Sequence, residues 1–169
     1  MKNYKNIIEL DKIDMKIILA LNKDGRMTKI QLSEEVGLSA TPCWERMKKL
    51  EKKGVIKGYY AEIDLNKIVD YSASCVELSI KNYSVKTVAV FEKLVRNIPE
   101  IVSCEAVLGD VDYILKILSR DVEEYQKSIE TLLQHPQLDI EHKTLVVSKT
   151  VKYPTHTNSK EIHSKYISE

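Results

Sequence analysis

Residues 39–54 read SATPCWERMKKLEKKG, and this stretch decides how the first third of the chain is interpreted. An α-helix turns about 100° per residue, so Cys43, Met47 and Leu50 fall on one side of it. That side is predicted to pack into a core. The other side and its flanks carry polar, charged and aromatic residues: Thr41, Pro42, Trp44, Glu45, Arg46, Lys48 and Lys49.

The helix is predicted to begin at Ser39 or Thr41, because either side chain can cap an N-terminus. Pro42 is compatible with the first turn, where backbone N–H groups have no intrahelical acceptor. The helix is predicted to run to Lys53-Gly54.

Cations are concentrated locally in this part of the chain. Residues 46–57 contain six Lys or Arg and one acid, Glu51, whereas the 169-residue chain has a net charge of only +1. Such a patch on an isolated helix is usually a solvated face. On a helix built to enter a groove it indicates a nucleic-acid partner.

Two shorter helices are predicted before this one. Asp11 can cap a helix that ends near Asp24-Gly25, and its apolar positions follow a 3.6-residue period. Thr28 and Gln31 form a capping box, which opens a helix of about two turns that Gly37 ends. The short glycine-containing connection to the third helix makes the pair a helix-turn-helix.

The third helix of such a motif reads DNA, and this assigns roles to its polar side. Short polar groups and Glu45 are placed for base edges, whereas Arg46, Lys48 and Lys49 are placed for phosphates. Lys29 and Gln31 lie where the second helix crosses the DNA backbone.

The second half of the chain is predicted to fold as βαββαβ, the ferredoxin-like arrangement, after a strand or linker at residues 55–70. Its open sheet face mixes Cys75, Glu77 and Ser79 with apolar positions, so we expect a second copy of the chain to cover it. The predicted strands are 72–81, 101–108, 112–119 and 139–151, and the helices are 84–97 and 121–134.

The resulting fold class is α+β, with four segments. Residues 1–54 form a helix-turn-helix domain, 55–70 a strand or linker, 71–153 the ferredoxin-like domain, and 154–169 a mobile tail. A short helix at 159–167 is an alternative for part of the tail.

Composition narrows the class of protein. Three cysteines without a CxxC pair suit a reducing compartment, and four histidines lack the spacing of metal ligands. No apolar run reaches the length of a membrane span, and the N-terminus lacks a signal-peptide core. We therefore expect a cytoplasmic protein with no metal and no membrane association. The sequence also lacks a P-loop, a GxGxxG motif and a catalytic Ser/His or Cys/His set, so an enzyme is disfavoured.

Three segments resemble the Lrp/AsnC (feast/famine) family of prokaryotic transcriptional regulators. They are LDKIDMKIILALNKDGRMT, LSATPCWERMKKLEKKGVIKGY and LGDVDYILKI, and the resemblance extends over about residues 8–153. It implies a winged helix-turn-helix that binds palindromic promoter DNA, and a domain that senses an amino acid. It also implies dimers, and often octamers, with effector bound between neighbouring dimers.

Glu45 departs from the family pattern, which commonly has a basic residue at this position. A carboxylate accepts a hydrogen bond from cytosine N4 but repels phosphate. We therefore expect a changed base preference with DNA binding retained, and we expect a Glu45→Arg variant to alter that preference.

A second site is predicted at Gly109-Asp110-Val111-Asp112-Tyr113, where Gly109 permits a tight turn. Asp112 offers a carboxylate for an α-ammonium group, although a solvated hairpin is the structural alternative. In the family, the matching segment shapes the effector pocket. Residues 144–147, including Thr144 and Val146, match a segment near that pocket and fit ordinary sheet packing equally well.

Two functions from different classes are compatible with these residues. The first is a sequence-specific regulator of amino-acid-related genes that responds to a small effector. The second is a largely non-specific nucleoid-organising protein that contacts phosphates alone.

Overall fold

The computed structural model describes residues 8–151, and the predicted tail lies outside them. Within the described residues, 8–62 form one compact unit, and Ile63–Val151 form a second. The division falls within the predicted linker.

The first unit contains three helices, α1 (Lys12–Lys23), α2 (Lys29–Val36) and α3 (Ala40–Lys52). The predicted capping box is present on α2, where the Thr28 hydroxyl accepts from Gln31 N and the Gln31 side chain accepts from Thr28 N. Gly37 ends α2 in the left-handed conformation at φ 75°, which glycine adopts without steric cost. Ser39 occupies the N-cap of α3, but its side chain makes no capping hydrogen bond.

The predicted core side of α3 is confirmed. Cys43, Met47 and Leu50 are only 1%, 6% and 2% exposed. They pack against apolar residues of α1 and α2, namely Ile17, Ala20, Leu32 and Val36. Because full burial of such a side chain stabilises the fold by about 1.5–3 kcal/mol, these contacts fix the rotation of α3 about its axis.

An ion-pair bridge holds α3 against the start of α1. Asp11 caps α1 by accepting from Ile13 N at 2.9 Å and Asp14 N at 2.8 Å. The Arg46 guanidinium, on α3, bonds to the Asp11 carboxylate and lies 2.9 Å from the Asp14 carboxylate. The bridge therefore joins a helix cap to the middle of the third helix.

The second unit has the predicted ferredoxin-like order of elements: β1 (Ser72–Ile80), α4 (Val85–Val95), β2 (Ile101–Ala106), β3 (Tyr113–Ser119), α5 (Val122–Leu133) and β4 (Ile140–Val146). The sheet is antiparallel with strand order β2-β3-β1-β4. Alternate residues of β1 and β3 pack with Phe91 and Val95 of α4 and with Ile129 and Leu132 of α5, so both helices cover one face. This confirms the predicted fold class.

Several predicted elements end a few residues early in the structure: the strand predicted at 101–108 ends at Ala106, and the helix predicted at 84–97 ends at Val95. Two differences are larger. Residues 55–64 contain no strand, and only a short 3-10 turn at Leu65–Lys67 precedes β1. The last strand ends at Val146 although strand was predicted to 151, because β4 pairs only with β1 and its partner at Val146 is Ser74, near the start of β1.

The open face of the sheet mixes polar and apolar side chains. Cys75, Glu77 and Ser79 alternate with buried residues of β1 and are partly exposed. Lys143 of β4 lies beside Glu77, with 3.8 Å between the ammonium nitrogen and the carboxylate. The three cysteines, Cys43, Cys75 and Cys104, are all free thiols.

The Arg46 bridge predicts how the stability of the first unit depends on pH. The backbone N–H of Asp14 and the Arg46 side chain both hydrogen-bond to Asp11 and lower the pKa of its carboxyl. The stabilisation is therefore complete above the unfolded-state pKa of about 3.9 and is lost as pH falls through the lower folded value. The Asp11→Asn variant, which keeps a capping oxygen, is expected to melt below the wild type near neutral pH.

The measurement is the melting temperature of both proteins by circular dichroism from neutral to acidic pH. The difference between them should shrink below about pH 4. A difference that stays constant through this range would assign the effect of Asp11 to capping alone.

Candidate nucleic-acid interface and effector site

The polar side of α3 is open to solvent. Within it, Thr41, Pro42, Glu45, Lys48 and Lys49 are exposed, as are Ser39 before the helix and Lys29 and Gln31 on α2. The rotation set by the buried side of α3 therefore presents most of the residues predicted to contact DNA on an accessible surface.

Trp44 lies between the two helices of the motif. It packs partly against the core of the first unit. The Lys29 ammonium lies 3.7 Å from the centroid of its ring, and the Lys48 ammonium lies 4.8 Å from it. Cation–π attraction of this kind holds cations from α2 and α3 around a single aromatic side chain.

Gln31 and Arg46, which were predicted to contact DNA, are engaged in structural hydrogen bonds or ion pairs. Gln31 uses its side-chain oxygen to cap α2, where it accepts from Thr28 N at 2.9 Å. Arg46 is half-buried and bridges Asp11 and Asp14. Both carboxylates already balance the charge of Arg46, which leaves Lys29, Lys48 and Lys49 as the exposed cations among the predicted DNA contacts.

A contact chain at the end of α3 was not predicted from the sequence. Glu51 accepts from the Lys48 ammonium at 2.7 Å through one carboxylate oxygen and from the Tyr59 hydroxyl at 3.1 Å through the other. The three-residue spacing of Lys48 and Glu51 on a helix is a signal for the first contact. Tyr59 lies in a segment without regular structure, so no spacing rule indicates the second.

The pKa values at this contact chain follow from the hydrogen bonds. The Lys48 side chain, which donates to Glu51, lowers the pKa of that carboxyl, and Tyr59 acts in the same direction. Burial, reinforced by the hydrogen bond to Glu51, raises the pKa of Tyr59 to about 12. At physiological pH Glu51 is therefore an acceptor and Tyr59 a donor.

The predicted effector segment forms a loop between β2 and β3. Val107 N donates to Asp112 O at 3.0 Å and closes it, so Gly109 lies in a four-residue connection rather than in a two-residue turn. Gly109 and Asp110 are exposed, Val111 is partly exposed, and Tyr113 is buried with its ring centroid 4.5 Å from that of Phe91.

Asp112 has a structural role in this loop. Its backbone N–H donates to Leu78 O at 3.0 Å, and its carboxylate accepts from Ile80 N at 2.8 Å. The side chain thus continues the β1–β3 hydrogen bonding past the first residue of β3, Tyr113. If Asp112 also binds an α-ammonium group, its carboxylate must do so while it accepts the hydrogen bond from Ile80 N.

The other two predicted effector residues lie elsewhere on the sheet. Thr144 bonds to the Tyr125 hydroxyl, and Val146 is exposed, both on the edge strand β4. Since β1 separates β3 from β4, these strands lie about 10 Å apart. In one chain, β1 therefore lies between the strands that carry the two predicted parts of the effector site.

Membrane-spanning helices and metal clusters are both absent from residues 8–151. No helix in this range is long and apolar enough to span a bilayer. The same residues contain no group of three or more His, Cys, Asp or Glu side chains placed to hold a metal ion.

Comparison with known families defines both units. Residues 10–57 match the family described as winged helix-turn-helix DNA-binding, and residues 74–157 match the Lrp/AsnC ligand binding domain. The class of protein is thus a DNA-binding regulator with a ligand-binding domain.

Several relatives are similar over most of their length. The transcriptional regulatory protein DoeX of Halomonas elongata is 39% identical over 88% of this chain and 94% of its own. The leucine-responsive regulatory protein of Escherichia coli is 38% identical over 85% of this chain and 88% of its own.

Solved structures agree with this comparison. A Neisseria meningitidis transcriptional regulator in complex with L-Met has a TM-score of 0.77 and 32% identity, covering 86% of this chain and 94% of its own. An AsnC family transcriptional regulator of Agrobacterium tumefaciens has a TM-score of 0.80 and 27% identity, covering 90% and 99%.

The chain belongs to the Lrp/AsnC family of transcriptional regulators. This confirms the resemblance seen in the sequence. The relatives are transcriptional regulators, in a family not known as enzymes, which agrees with the lack of a catalytic motif.

Two substitutions test whether the Asp112 carboxylate stabilises the fold through its hydrogen bond from Ile80 N. Asp112→Ala leaves Ile80 N–H without its acceptor and is expected to lower the free energy of unfolding by about 1.5–3 kcal/mol. Asp112→Asn keeps an accepting oxygen and is expected to lose less. Chemical denaturation gives both values, and amide hydrogen exchange at Ile80 reports the hydrogen bond directly. Equal losses in the two variants would contradict this role.

Proposed function

We propose that this regulator binds specific promoter sequences of amino-acid-related genes as a homodimer or octamer in the cytoplasm, and that an amino acid modulates the binding. The observation that carries the DNA-binding part is the exposed polar side of α3, whose opposite side is held in the core by Cys43, Met47 and Leu50.

The residues of this surface divide into two groups by chemistry. Lys29, Lys48 and Lys49 supply positive charge for phosphates, which gives affinity without sequence information. Thr41 and Glu45 are short or acidic and suit base edges in the major groove. Ser39, Pro42, Trp44, Gln31 and Arg46 support or flank them.

Assembly is supported by the open face of the sheet. A helix-turn-helix protein reads a palindromic site when two copies present their third helices about one DNA turn apart. The partly exposed Cys75, Glu77 and Ser79 lie on the face left uncovered by α4 and α5. We infer that a second copy covers this face.

An amino-acid effector is supported by two comparisons. The second unit matches a ligand-binding domain, and the Neisseria relative was solved with L-Met. Gly109, Asp110, Val111, Asp112 and Tyr113 are proposed to line the site from one copy, with Thr144 and Val146 contributed by another. The strand order supports this division, since β1 lies between β3 and β4 in one chain.

The alternative function is non-specific DNA organisation, since three accessible lysines act on phosphates of any sequence. The two functions differ in the ratio of affinities for selected and random DNA. A specific regulator is expected to prefer its site by roughly 10³-fold or more. A ratio near one would favour the alternative.

The DNA-binding surface is tested by neutralising two of its cations together. The Lys48→Gln/Lys49→Gln variant is expected to bind more weakly to a duplex selected from random-sequence DNA. The slope of log affinity against log salt should decrease in magnitude by up to roughly 1.8, because each phosphate contact contributes about 0.9. Fluorescence anisotropy over a salt series measures both quantities.

The matched control is Lys86→Gln/Lys93→Gln, which removes the same charge from exposed positions on α4. It should leave the slope nearly unchanged. Wild-type affinity and salt dependence in the Lys48/Lys49 variant would refute the proposed DNA surface.

The effector part is tested by melting the protein in the presence of each of the twenty amino acids. A ligand that binds the folded state raises its melting temperature, by mass action. One or a few amino acids are expected to do so, and Asp112→Asn should abolish the shift while it preserves the fold. An amino acid that modulates the regulator must also change its DNA affinity, and DNA must then change the affinity for that amino acid by the same factor. If no amino acid shifts the melting temperature, the effector assignment fails.

A further inference from the structure

Lys48 is surrounded by side chains of its own unit even though it is exposed. Its ammonium lies 2.7 Å from the Glu51 carboxylate and 4.8 Å from the centroid of Trp44. Glu51 lies three residues after Lys48 and Trp44 lies four residues before it, so both flank Lys48 on the same face of α3. The cation is therefore held at the edge of the DNA-facing surface.

The Glu51 carboxylate is itself fixed. Its side chain is 26% exposed, against 52% for Lys48. One oxygen bonds Lys48, and the other accepts from the Tyr59 hydroxyl at 3.1 Å. The Tyr59 hydroxyl is protonated at physiological pH, as an ordinary tyrosine is, and therefore donates to Glu51. Because the Tyr59 hydrogen bond restricts rotation of the Glu51 carboxylate, the contact between Glu51 and Lys48 is better maintained than with a freely rotating carboxylate.

Tyr59 lies close to the boundary between the two units of the chain. It lies in the irregular segment after α3, and the first unit ends three residues later at Glu62. The polypeptide then continues directly into the ligand-binding unit.

We propose that Glu51 and Tyr59 are positioning residues that restrain Lys48 and thereby limit how readily Lys48 reaches a DNA phosphate. In the DNA-free protein Glu51 neutralises Lys48, and a phosphate has to replace that carboxylate. This inference rests on the proposed DNA-binding function and deepens it.

The size of the effect follows from the exposure of the pair. A solvent-accessible ion pair changes an equilibrium by less than about tenfold. Glu51→Gln is expected to raise DNA affinity about two- to fivefold. The substitution is conservative, since the amide oxygen still accepts from Tyr59 while the lost charge releases Lys48.

The decisive experiment is a double-mutant cycle on DNA affinity, measured with the full chain and one labelled duplex selected from random-sequence DNA. The four proteins are wild type, Glu51→Gln, Lys48→Gln and the double variant. The gain from Glu51→Gln should disappear when Lys48 is already neutral. It should also shrink at high salt, because screening weakens the contact between Glu51 and Lys48.

A charge-matched control separates this effect from a general change in net charge. Glu35 is exposed on α2 and makes no ion pair among residues 8–151. Any gain from Glu35→Gln should persist in the Lys48→Gln background. If the gain from Glu51→Gln persists there as well, Glu51 acts only by repelling DNA, and the inference is overturned.

Tyr59→Phe tests the second contact. Without the hydroxyl, Glu51 is less well fixed, so affinity should rise by less than in Glu51→Gln. Adding Tyr59→Phe to Glu51→Gln should change affinity no further. An equal effect of Tyr59→Phe in both backgrounds would remove Tyr59 from the proposal, and melting temperatures verify that each variant is folded.

These outcomes are distinct from failure of the proposed function. If wild-type protein shows no salt-dependent binding to selected DNA, the DNA-binding assignment itself fails. If wild type binds and Lys48 contributes, but the cycle shows no coupling between Lys48 and Glu51, only the positioning role is wrong.

Discussion

The rotation of α3 about its own axis is the constraint on which the DNA-binding unit depends. Cys43, Met47 and Leu50 are nearly inaccessible to solvent, so turning the helix would expose them and bury charged residues instead. Burying an unpaired charge destabilises a fold by far more free energy than a partly exposed ion pair contributes to its stability. Apolar packing therefore determines which side chains face outward, and the Arg46 bridge to Asp11 and Asp14 adds a second, weaker restraint at one end of α1.

The second unit is organised by the alternation of buried and partly exposed residues along β1 and β3. Buried residues of β1 and β3 face α4 and α5, so the intervening residues form a sheet face that those helices leave uncovered. The strand order then separates the β2–β3 loop from β4. Within this unit the hydrophobic core thus fixes the open face, and the topology fixes the separation of the two segments proposed to sense an effector.

Local rules allowed much of this structure to be predicted from the sequence. The caps at Asp11, Thr28 and Gly37 involve residues within five positions of one another, and each was found as expected. Contacts between distant residues were not predictable in this way. Arg46 and Asp11 are 35 positions apart, and the hydrogen bond from Ile80 to Asp112 spans 32. The sequence indicated that Asp112 matters but not that its carboxylate extends a strand ladder. Likewise, the end of β4 is set by where β1 begins, which no pattern within β4 reveals.

Trp44 is the only tryptophan in the 169 residues, and it lies between two lysines proposed to bind phosphate. Indole emission responds to nearby charge and to solvent access. A DNA phosphate that draws either ammonium group from the ring alters both conditions at once. The protein therefore carries its single tryptophan at the surface where nucleic-acid contacts are expected, so indole emission can follow those contacts in time without an attached dye.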